Sequence, residues 1–303
     1  MKAIVFGGSG FLGSHVADAL TRADYETTIF DIQKSPYLQK GQKMIVGNIL
    51  DKKAVEKAVT GCYVVYNFAG IASIEEAHKK PVETIESNIL GTTIILEACR
   101  KNNVKRFVFA STIYVYSDAG SFYRSSKRAC ELITENYNEV FGLPYTILRY
   151  SSLYGPRADE RNFIYRILKQ AVTEGKITSF GKSDDLREYI HVEDAARYSV
   201  EVLDKKFENQ YVILTGGRPI KRGELLTMIR EMLGNRIEVG FLPANAELHY
   251  DVTPYSFNPK IAKVYRGDSY LDLGQGILQC LEEIYKKYSP SKEINGIFVS
   301  SDE

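Results

Sequence analysis

The stretch that decides the fold is Ala3-Ile-Val-Phe-Gly7-Gly-Ser-Gly10-Phe-Leu-Gly13. Its first four residues form a short apolar run, which is typical of a buried strand. The glycine-rich segment follows at once, and a helical pattern then runs from Ser14 to Arg22. Glycines permit a tight turn and let backbone N–H groups approach a pyrophosphate at the start of a helix. The stretch therefore predicts a strand–turn–helix unit that binds a dinucleotide.

An acidic residue follows at the spacing that such a unit requires. The next predicted strand, 26–30, ends at Asp31, which lies 18 residues past Gly13. A carboxylate there can accept hydrogen bonds from the adenosine ribose and would repel a 2′-phosphate. A glycine-rich turn beside an unrelated surface aspartate is the alternative. Because strand, helix and acid all occur in the expected order, we favour NAD binding over NADP binding.

Strands and helices continue to alternate beyond Asp31. Predicted strands lie at 43–46, 62–66, 106–112, 145–148, 187–191 and 211–214. Predicted helices lie at 52–59, 81–102, 123–141, 162–173, 192–203, 224–233 and 274–287. This alternation predicts an α/β fold, namely a Rossmann-type doubly wound parallel sheet with a smaller, mixed α/β substrate lobe. We assign 1–150 and roughly 188–217 to the Rossmann domain, 151–187 and 218–287 to the lobe, and 288–303 to a mobile tail.

Candidate catalytic side chains lie between Ser111 and Lys127. Thr112 ends an apolar run, and Tyr123 and Lys127 follow four residues apart at the start of an amphipathic segment. Positions i and i+4 share one helix face, so the ammonium can lie beside the phenol. A nearby positive charge is expected to lower the pKa of the tyrosine. Such a phenol, with a second hydroxyl to hold the substrate oxygen, is a general acid/base for alcohol–ketone interconversion.

The same tyrosine–lysine spacing also arises by chance in this chain. The pattern Tyr-x-x-x-Lys occurs at Tyr123/Lys127, Tyr165/Lys169 and Tyr288/Lys292. Only the first follows a strand that ends in a hydroxyl and begins a helix of the main sheet. We therefore interpret the other two pairs as surface positions, and a solvated helix face is the competing interpretation for the first.

Composition excludes several classes of partner. The net charge is +1, with no basic block, so nucleic acid is not the expected partner. The four cysteines form no Cys-x-x-Cys pair, and the four histidines form no His-x-x-x-His pattern, so no metal site is expected. No apolar run approaches the roughly 20 residues that span a bilayer. The glycine turn begins too early for a signal peptide, so we expect a cytoplasmic protein.

Taken together, these motifs resemble those of an extended short-chain dehydrogenase/reductase of the NAD-dependent epimerase/dehydratase family. The resemblance extends to about residue 285. It is carried by Gly7-x-x-Gly10-x-x-Gly13, Asn67-Phe-Ala-Gly70, Thr112 with Tyr116, Tyr123-x-x-x-Lys127, Arg149 with Tyr154-Gly-Pro156, and Arg187-Glu-Tyr-Ile-His-Val-Glu-Asp194. Members of this family act mostly on nucleotide-activated sugars.

The resemblance implies a role for each group. Tyr123 would deprotonate a sugar hydroxyl, usually at C4, while a hydride passes to NAD; Lys127 would also hold the nicotinamide ribose. The residues implied for the cofactor are Gly7, Ser9, Gly10, Phe11, Leu12, Gly13, Asp31, Asn48, Ile49, Phe68, Ala69, Gly70, Tyr123 and Lys127. Those implied for the substrate are Ser111, Thr112, Ser152 and Arg187. On its residues alone, Arg187 is as well explained by pairing with Glu193 or Asp194. Relatives also dimerise through two long helices, here near 82–102 and 123–141.

Four departures from the family pattern narrow the reaction. Asn48 stands where members often have aspartate, and Ser151-Ser152 replace the usual aromatic–asparagine pair. Ile113-Tyr114 replace the Asp-Glu pair of the dehydratases, which disfavours 4,6-dehydration. Only six residues separate Tyr116 from Tyr123, so the sugar pocket is expected to be more open.

The leading hypothesis is NAD-dependent oxidation of a nucleotide-sugar at C4, with net epimerisation or net dehydrogenation. A 4-keto-sugar reductase is the alternative, although Asp31 disfavours the NADP that reductive biosynthesis tends to use. A non-catalytic NAD-sensing protein is a third reading, but such proteins typically lose the tyrosine or the lysine. The sequence leaves the base, the sugar and the net reaction open.

Overall fold

A single parallel sheet forms the centre of the computed structural model, which describes residues 1–242, 263–265, 267 and 269–288. The strands in these residues are β1 (Lys2–Phe6), β2 (Glu26–Asp31), β3 (Lys43–Val46), β4 (Val64–Asn67), β5 (Arg106–Thr112), β6 (Tyr145–Tyr150), β7 (Ser152–Tyr154), β8 (Lys176–Phe180), β9 (Leu186–Arg187), β10 (Tyr189–His191), β11 (Gln210–Leu214), β12 (Ile220–Lys221), β13 (Glu238–Leu242) and β14 (Lys263–Tyr265).

Eight of these strands form the main sheet in the order β14-β11-β6-β5-β4-β1-β2-β3. Every adjacent pair in it is parallel. Read from β3 to β6, the order 3-2-1-4-5-6 is that of a Rossmann sheet, with its switch point between β1 and β4. The predicted fold class is thereby confirmed.

Helices cover both faces of the sheet. In the described residues they are α1 (Phe11–Arg22), α2 (Lys52–Val59), α3 (Ile74–Lys79), α4 (Pro81–Thr84), α5 (Gly91–Lys101), α6 (Ser121–Phe141), α7 (Phe163–Glu174), α8 (Val192–Glu201), α9 (Arg222–Met232) and α10 (Leu273–Tyr288). Alternate residues of β1 enter different cores, because successive strand side chains point to opposite faces. Ile4 and Phe6 join the core that contains α2 and α5 residues, whereas Ala3 and Val5 join the core that contains α1 and α8 residues.

A third apolar core belongs to the segments that were assigned to the substrate lobe. Side chains of α7, α9 and α10 pack there around Ile177 of β8. The small parallel pair β8–β13 and the antiparallel pair β9–β12 lie in the same segments. One of their strands, β14, extends the main sheet beside β11. The division into two domains stays a prediction. Tyr288 ends α10, and residues 289–303 of the predicted tail lie outside the described residues.

Local structure differs from the sequence-based expectation at several places; among them, α3 and β7 were not predicted, and two predicted elements are interrupted. The predicted helix 81–102 contains a π-helical turn, Ile85–Leu90, between α4 and α5. The predicted strand 187–191 is split, because β9 pairs with β12 while β10 pairs with β7. The second interruption follows from strand pairing, to which hydrophobic periodicity is insensitive.

The glycine turn gives a direct test of this packing. A Cβ on Gly13 would lie 2.2 Å from the carbonyl oxygen of Gly7, whereas a Cβ on Gly240 would meet no described residue within 4 Å. Helix propensity alone predicts that Gly13→Ala stabilises α1 by about 1 kcal/mol. We expect the steric clash to dominate and to lower the free energy of unfolding by about 1–3 kcal/mol. Urea denaturation of Gly13→Ala, with Gly240→Ala as the neutral control, measures this. A Gly13→Ala protein as stable as the wild type would contradict the described turn.

Candidate active site

The end of β5 and the first turns of α6 bring the three predicted catalytic side chains together. All seven residues of β5 are buried, and Thr112 is the last of them. A short 3₁₀ turn, Ile113–Tyr116, and four further residues lead to α6, which begins at Ser121 after Gly120 with φ 100°. Tyr123 and Lys127 lie four residues apart on α6 and share its inner face.

Hydrogen bonds link these side chains to the strand. A hydrogen bond from the Thr112 hydroxyl favours the ionised form of Tyr123. The Nζ atom of Lys127 donates to the carbonyl oxygen of Ala110 at 2.8 Å and lies 5.9 Å from the centre of the Tyr123 ring. The ammonium and the phenol thus share one helix face, as the spacing predicted, but the ammonium is bonded to the strand and not to the phenol hydroxyl.

Burial controls the pKa values of both groups. Desolvation raises the pKa of Tyr123 to about 12, and the hydrogen bond from Thr112 lowers it only in part. Desolvation also lowers the pKa of Lys127, while the Cys130 and Glu131 side chains raise it. The expected lowering of the Tyr123 pKa by the ammonium is not met in this structure, because desolvation raises that pKa and the Lys127 ammonium is bonded to the Ala110 carbonyl oxygen.

A cavity of about 350 Å³ connects the glycine turn with these catalytic candidates. It contains backbone of the turn at one end and the hydroxyl, phenol and ammonium groups at the other. Its lining residues are Gly7, Gly10, Phe11, Leu12, Gly13, Phe68, Gly70, Ala72, Ser73, Ala110, Ser111, Thr112, Tyr123, Lys127, Tyr150, Ser151, Leu153, Asp159, Arg161 and Asn162.

The glycine turn leaves no space for side chains against the sheet. A Cβ on Gly7, where φ is 77°, would lie 2.6 Å from the amide nitrogen of Ala69. Gly10 precedes α1 and makes no side-chain cap, so the helix start offers backbone N–H groups to an anion. The turn thus has the form that a pyrophosphate requires.

Asp31 lies at the end of β2 next to the glycine turn. Its carboxylate accepts hydrogen bonds from the backbone N–H groups of Ser9 at 3.0 Å and Gln33 at 3.2 Å. Asn48 and Ile49 follow β3 on the neighbouring strand; Asn48 accepts from the amide of Leu50, and Ile49 is buried. These residues lie at carboxyl ends of adjacent strands but do not line the 350 Å³ cavity.

Three residues predicted to bind substrate have other contacts. The Ser111 hydroxyl donates to Glu131 at 2.6 Å, although Ser111 lines the cavity. Ser152 begins β7, where its amide donates to the carbonyl oxygen of Glu188, and Arg187 donates to the carbonyl oxygen of Leu186; neither residue lines the cavity. Asp194, an alternative partner proposed for Arg187, pairs with Arg197 at 2.7 Å.

Sequence reasoning missed several polar residues of the cavity wall, namely Ser73, Tyr150, Ser151, Asp159, Arg161 and Asn162, and it also missed Asn88, which lies outside that wall. Asn88, in the π-helical turn, bonds both backbone groups of Ile71 and the hydroxyl of Ser126, so it ties the loop after Gly70 to α6. A polar residue inside an apolar helical pattern was the available signal. Ser151 was noted only as a departure from the family pattern, yet it lies on the cavity wall.

Ser151 shows that the cavity fits a polar ligand. Its side-chain oxygen is buried, and within the described residues it has no hydrogen-bond partner. Buried hydroxyls are nearly always bonded, so a ligand with polar groups along this wall would complete the site. The glycine turn, Asp31 and this wall together match a dinucleotide and a hydroxylated substrate.

Two kinds of site are not found within the parts of the chain that the structure describes. No group of three or more histidine, cysteine, aspartate or glutamate side chains is arranged to hold a metal ion there. Nor is any helix in those parts long and apolar enough to cross a bilayer.

Comparison with known proteins agrees with this geometry. The family model described as "NAD dependent epimerase/dehydratase family" matches residues 3–213. A UDP-N-acetyl-alpha-D-glucosaminuronate decarboxylase of Bacillus cytotoxicus is 30% identical over 237 residues, which are 70% of this chain and 74% of that protein. A putative UDP-glucose 4-epimerase of Methanocaldococcus jannaschii is 29% identical and covers 89% of both chains.

Solved structures show the same architecture. The UDP-glucose 4-epimerase of Thermus thermophilus in complex with NAD superposes with a TM-score of 0.79, at 25% identity, over 94% of this chain and 99% of that one. The UDP-glucose 4-epimerase of Thermotoga maritima gives a TM-score of 0.83 at 24% identity, over 95% and 99%. With its glycine turn, its catalytic candidates and its sheet order, this chain belongs to the NAD dependent epimerase/dehydratase family.

Proposed function

We propose that the protein oxidises a nucleotide-activated sugar at the C4 hydroxyl, with NAD as cofactor and Tyr123 as general base. The main support is that Thr112, Tyr123 and Lys127 line one cavity with the glycine turn. The Methanocaldococcus jannaschii relative is named as a putative UDP-glucose 4-epimerase, and the structure of the Thermus thermophilus UDP-glucose 4-epimerase is a complex with NAD. When bound, NAD supplies the hydride acceptor and a positive charge on its oxidised nicotinamide.

Each protein group has one task in this scheme. Thr112 holds the reacting sugar oxygen, and Tyr123 removes its proton. A phenol with a pKa of about 12 is protonated at neutral pH, so added positive charge is required to make it a base. Lys127 provides part of that charge, and its ammonium has only to leave the Ala110 carbonyl to approach the phenol.

The residues after Thr112 support oxidation without dehydration. Ile113 is buried, and the ring of Tyr114 packs edge-on against Tyr123, with 6.5 Å between ring centres. Neither side chain has a carboxyl group that could protonate a leaving hydroxyl. The net outcome is then epimerisation, if the ketone is reduced again from its other side, or dehydrogenation, if the ketone is released.

A panel assay separates these outcomes. The protein is mixed with NAD and with UDP-glucose, UDP-glucuronic acid or the corresponding N-acetylated sugars. Growing NADH absorbance indicates dehydrogenation, and a changed sugar without NADH indicates epimerisation. We expect Tyr123→Phe to reduce turnover about 10²–10⁴-fold, because general acid–base catalysis is lost, while NAD binding remains nearly intact.

The second tyrosine–lysine pair offers a matched control. Tyr165 has the same spacing to Lys169. It is buried and not at the surface as expected from the sequence, and its hydroxyl bonds that of Tyr288. Tyr165→Phe should turn over substrate as the wild type does. If Tyr123→Phe retained wild-type turnover, Tyr123 would not be the base.

Cofactor choice is proposed to depend on Asp31. The carboxylate would accept hydrogen bonds from the adenosine ribose of NAD and repel the 2′-phosphate of NADP. We expect the wild type to bind NAD more tightly than NADP. Asp31→Ala should weaken NAD binding about 10- to 100-fold through loss of a charged hydrogen bond and should reduce the preference. Calorimetric titration with both nucleotides measures this, and tighter NADP binding by the wild type would exclude the role.

We also propose a homodimer through α4, α5 and α6. Val82 and Leu90 are 65% and 47% exposed on one helical segment, and Leu132 and Val140 are 54% and 69% exposed on α6. Pairing two copies would bury these residues in a four-helix seam.

The proposed dimer predicts that a charged residue in the seam halves the molecular mass of the protein in solution. Leu132→Glu should convert the dimer to a monomer, because a charge would be buried in an apolar seam. Val46→Glu, on the exposed edge strand β3, is the control and should leave the mass unchanged. Light scattering coupled to gel filtration measures both. A monomeric wild type would refute the dimer.

A further inference from the structure

A buried ion pair lies directly behind the proposed catalytic strand end. Arg149 of β6 and Glu131 of α6 form two parallel hydrogen bonds, Nε to Oε1 at 2.9 Å and Nη2 to Oε2 at 2.8 Å. Both side chains are only 4% exposed. The pair therefore fixes β6 to α6 from the inside of the domain.

Two further contacts connect this pair to the active-site segment. Ser111, which precedes Thr112, donates to Glu131 at 2.6 Å, and it lies opposite Arg149 in the β5–β6 register. Arg149 also donates to the hydroxyl of Tyr116, at the end of the 3₁₀ turn that follows Thr112. The Arg149 guanidinium lies over the rings of Tyr116 and Tyr211, at 4.6 and 4.4 Å from their centres. Both ends of the segment 111–116 are thus held by one ion pair.

The pair is also close to the proposed base. Glu131 lies one helical turn after Lys127 and two turns after Tyr123, on the same face of α6. Burying two charges is costly, and apolar residues of similar volume often give a more stable core. Stability is thus a weak explanation for an ion pair at this place.

We propose that Glu131 and Arg149 are positioning residues of the reaction, which hold Thr112 against Tyr123 and set the electrostatic potential at Tyr123 and Lys127. This inference rests on the proposed function, in which Tyr123 is the base. Neither residue lines the cavity, so both act through Ser111, Thr112 and Lys127. If β5 moved relative to α6, the hydrogen bond between Thr112 and Tyr123 would break.

The competing interpretation is that the Glu131–Arg149 pair only stabilises the fold. A second ion pair on the same strand provides a control for that role. Arg106, at the opposite end of β5, pairs with Glu208 at 2.9 Å; their side chains are 6% and 37% exposed. This pair also fixes β5 to a neighbouring segment, but it is far from Thr112 along the strand. Loss of either pair should lower stability, whereas only loss of Glu131–Arg149 should affect Tyr123.

The first test measures the ionisation of Tyr123 and needs no substrate. Tyrosine labelled with ¹³C at Cζ is observed by NMR with saturating NAD across a pH series, and the Tyr123→Phe variant assigns the resonance. Glu131→Gln leaves an unpaired positive charge, so the pKa of Tyr123 should fall. Arg149→Gln leaves an unpaired negative charge, so that pKa should rise. At roughly 12 Å, the distance of two helical turns, each shift should be about one pKa unit.

Two control variants separate the effect of an unpaired charge on the Tyr123 pKa from the effect of a less rigid structure. The double variant Glu131→Gln/Arg149→Gln restores neutrality and should return the pKa of Tyr123 to the wild-type value. Glu208→Gln should not move it. Shifts in the same direction for both single variants, or shifts no larger than that of Glu208→Gln, would overturn the electrostatic part of the proposal.

Turnover tests the positioning part. The double variant should lower kcat at least tenfold with little change in KM. Its charge is balanced, but the ion pair that holds β5 and β6 to α6 is lost. Ser111→Ala, which removes only one hydroxyl, should lower kcat in the same way and serves if the charge variants do not fold. Wild-type kcat in Ser111→Ala or in the double variant would refute positioning. Wild-type turnover in Tyr123→Phe would refute the proposed function instead, so the two failures are distinguishable.

Discussion

Parallel strands end at a common edge, and the proposed site depends on that constraint. The glycine turn follows β1, Asp31 ends β2, Phe68–Gly70 follow β4, Thr112 ends β5 and Ser151 follows β6. Residues that are up to 144 positions apart in the chain are adjacent only because each of these strands runs in the same direction. The helices between the strands supply the return path, and they also supply the two side chains, Tyr123 and Lys127, that a strand end cannot place beside Thr112.

Burial of Tyr123 and Lys127 has two opposite effects on the proposed acid–base chemistry. The cavity removes solvent from Tyr123 and Lys127, which favours the neutral form of each and raises the pKa of the phenol to about 12. The same loss of solvent strengthens every charge interaction in the site. In the proposed reaction, a phenol in this position needs added positive charge to act as a base, and it is more responsive to that charge than a phenol in water. The proposed base strength would therefore depend on the charge that a ligand brings.

The sequence was sufficient for features that are local in the chain. Each of these features lies within a short stretch of chain, where spacing determines geometry: the glycine turn between β1 and α1, Asp31 at the end of β2, and Thr112 with the Tyr123–Lys127 pair between β5 and α6. Features that depend on contacts between distant segments were missed. The π-helical turn at Ile85–Leu90 places Asn88 against Ile71 and Ser126, and no periodicity of the helix reports those partners. Likewise, the contact between Ser111 and Glu131 joins residues that no local pattern relates. The hydroxyl of Ser151, which has no partner among the described residues, can be recognised only once the cavity is known.

The two faces of α6 show why a rigid connection between β5 and this helix matters for the proposed site. One face of this helix carries Tyr123, Lys127 and Glu131, and the opposite face carries the exposed Leu132 and Val140. A partner that covered the outer face would transmit any displacement of the helix directly to the phenol on the inner face. Hydrophobic contacts tolerate small sliding motions, because they are non-directional. A bidentate arginine–carboxylate pair does not tolerate them, since both of its hydrogen bonds require one geometry. The ion pair between Arg149 and Glu131 therefore supplies what packing alone lacks, a fixed distance between the helix that carries Tyr123 and the strand that carries Thr112.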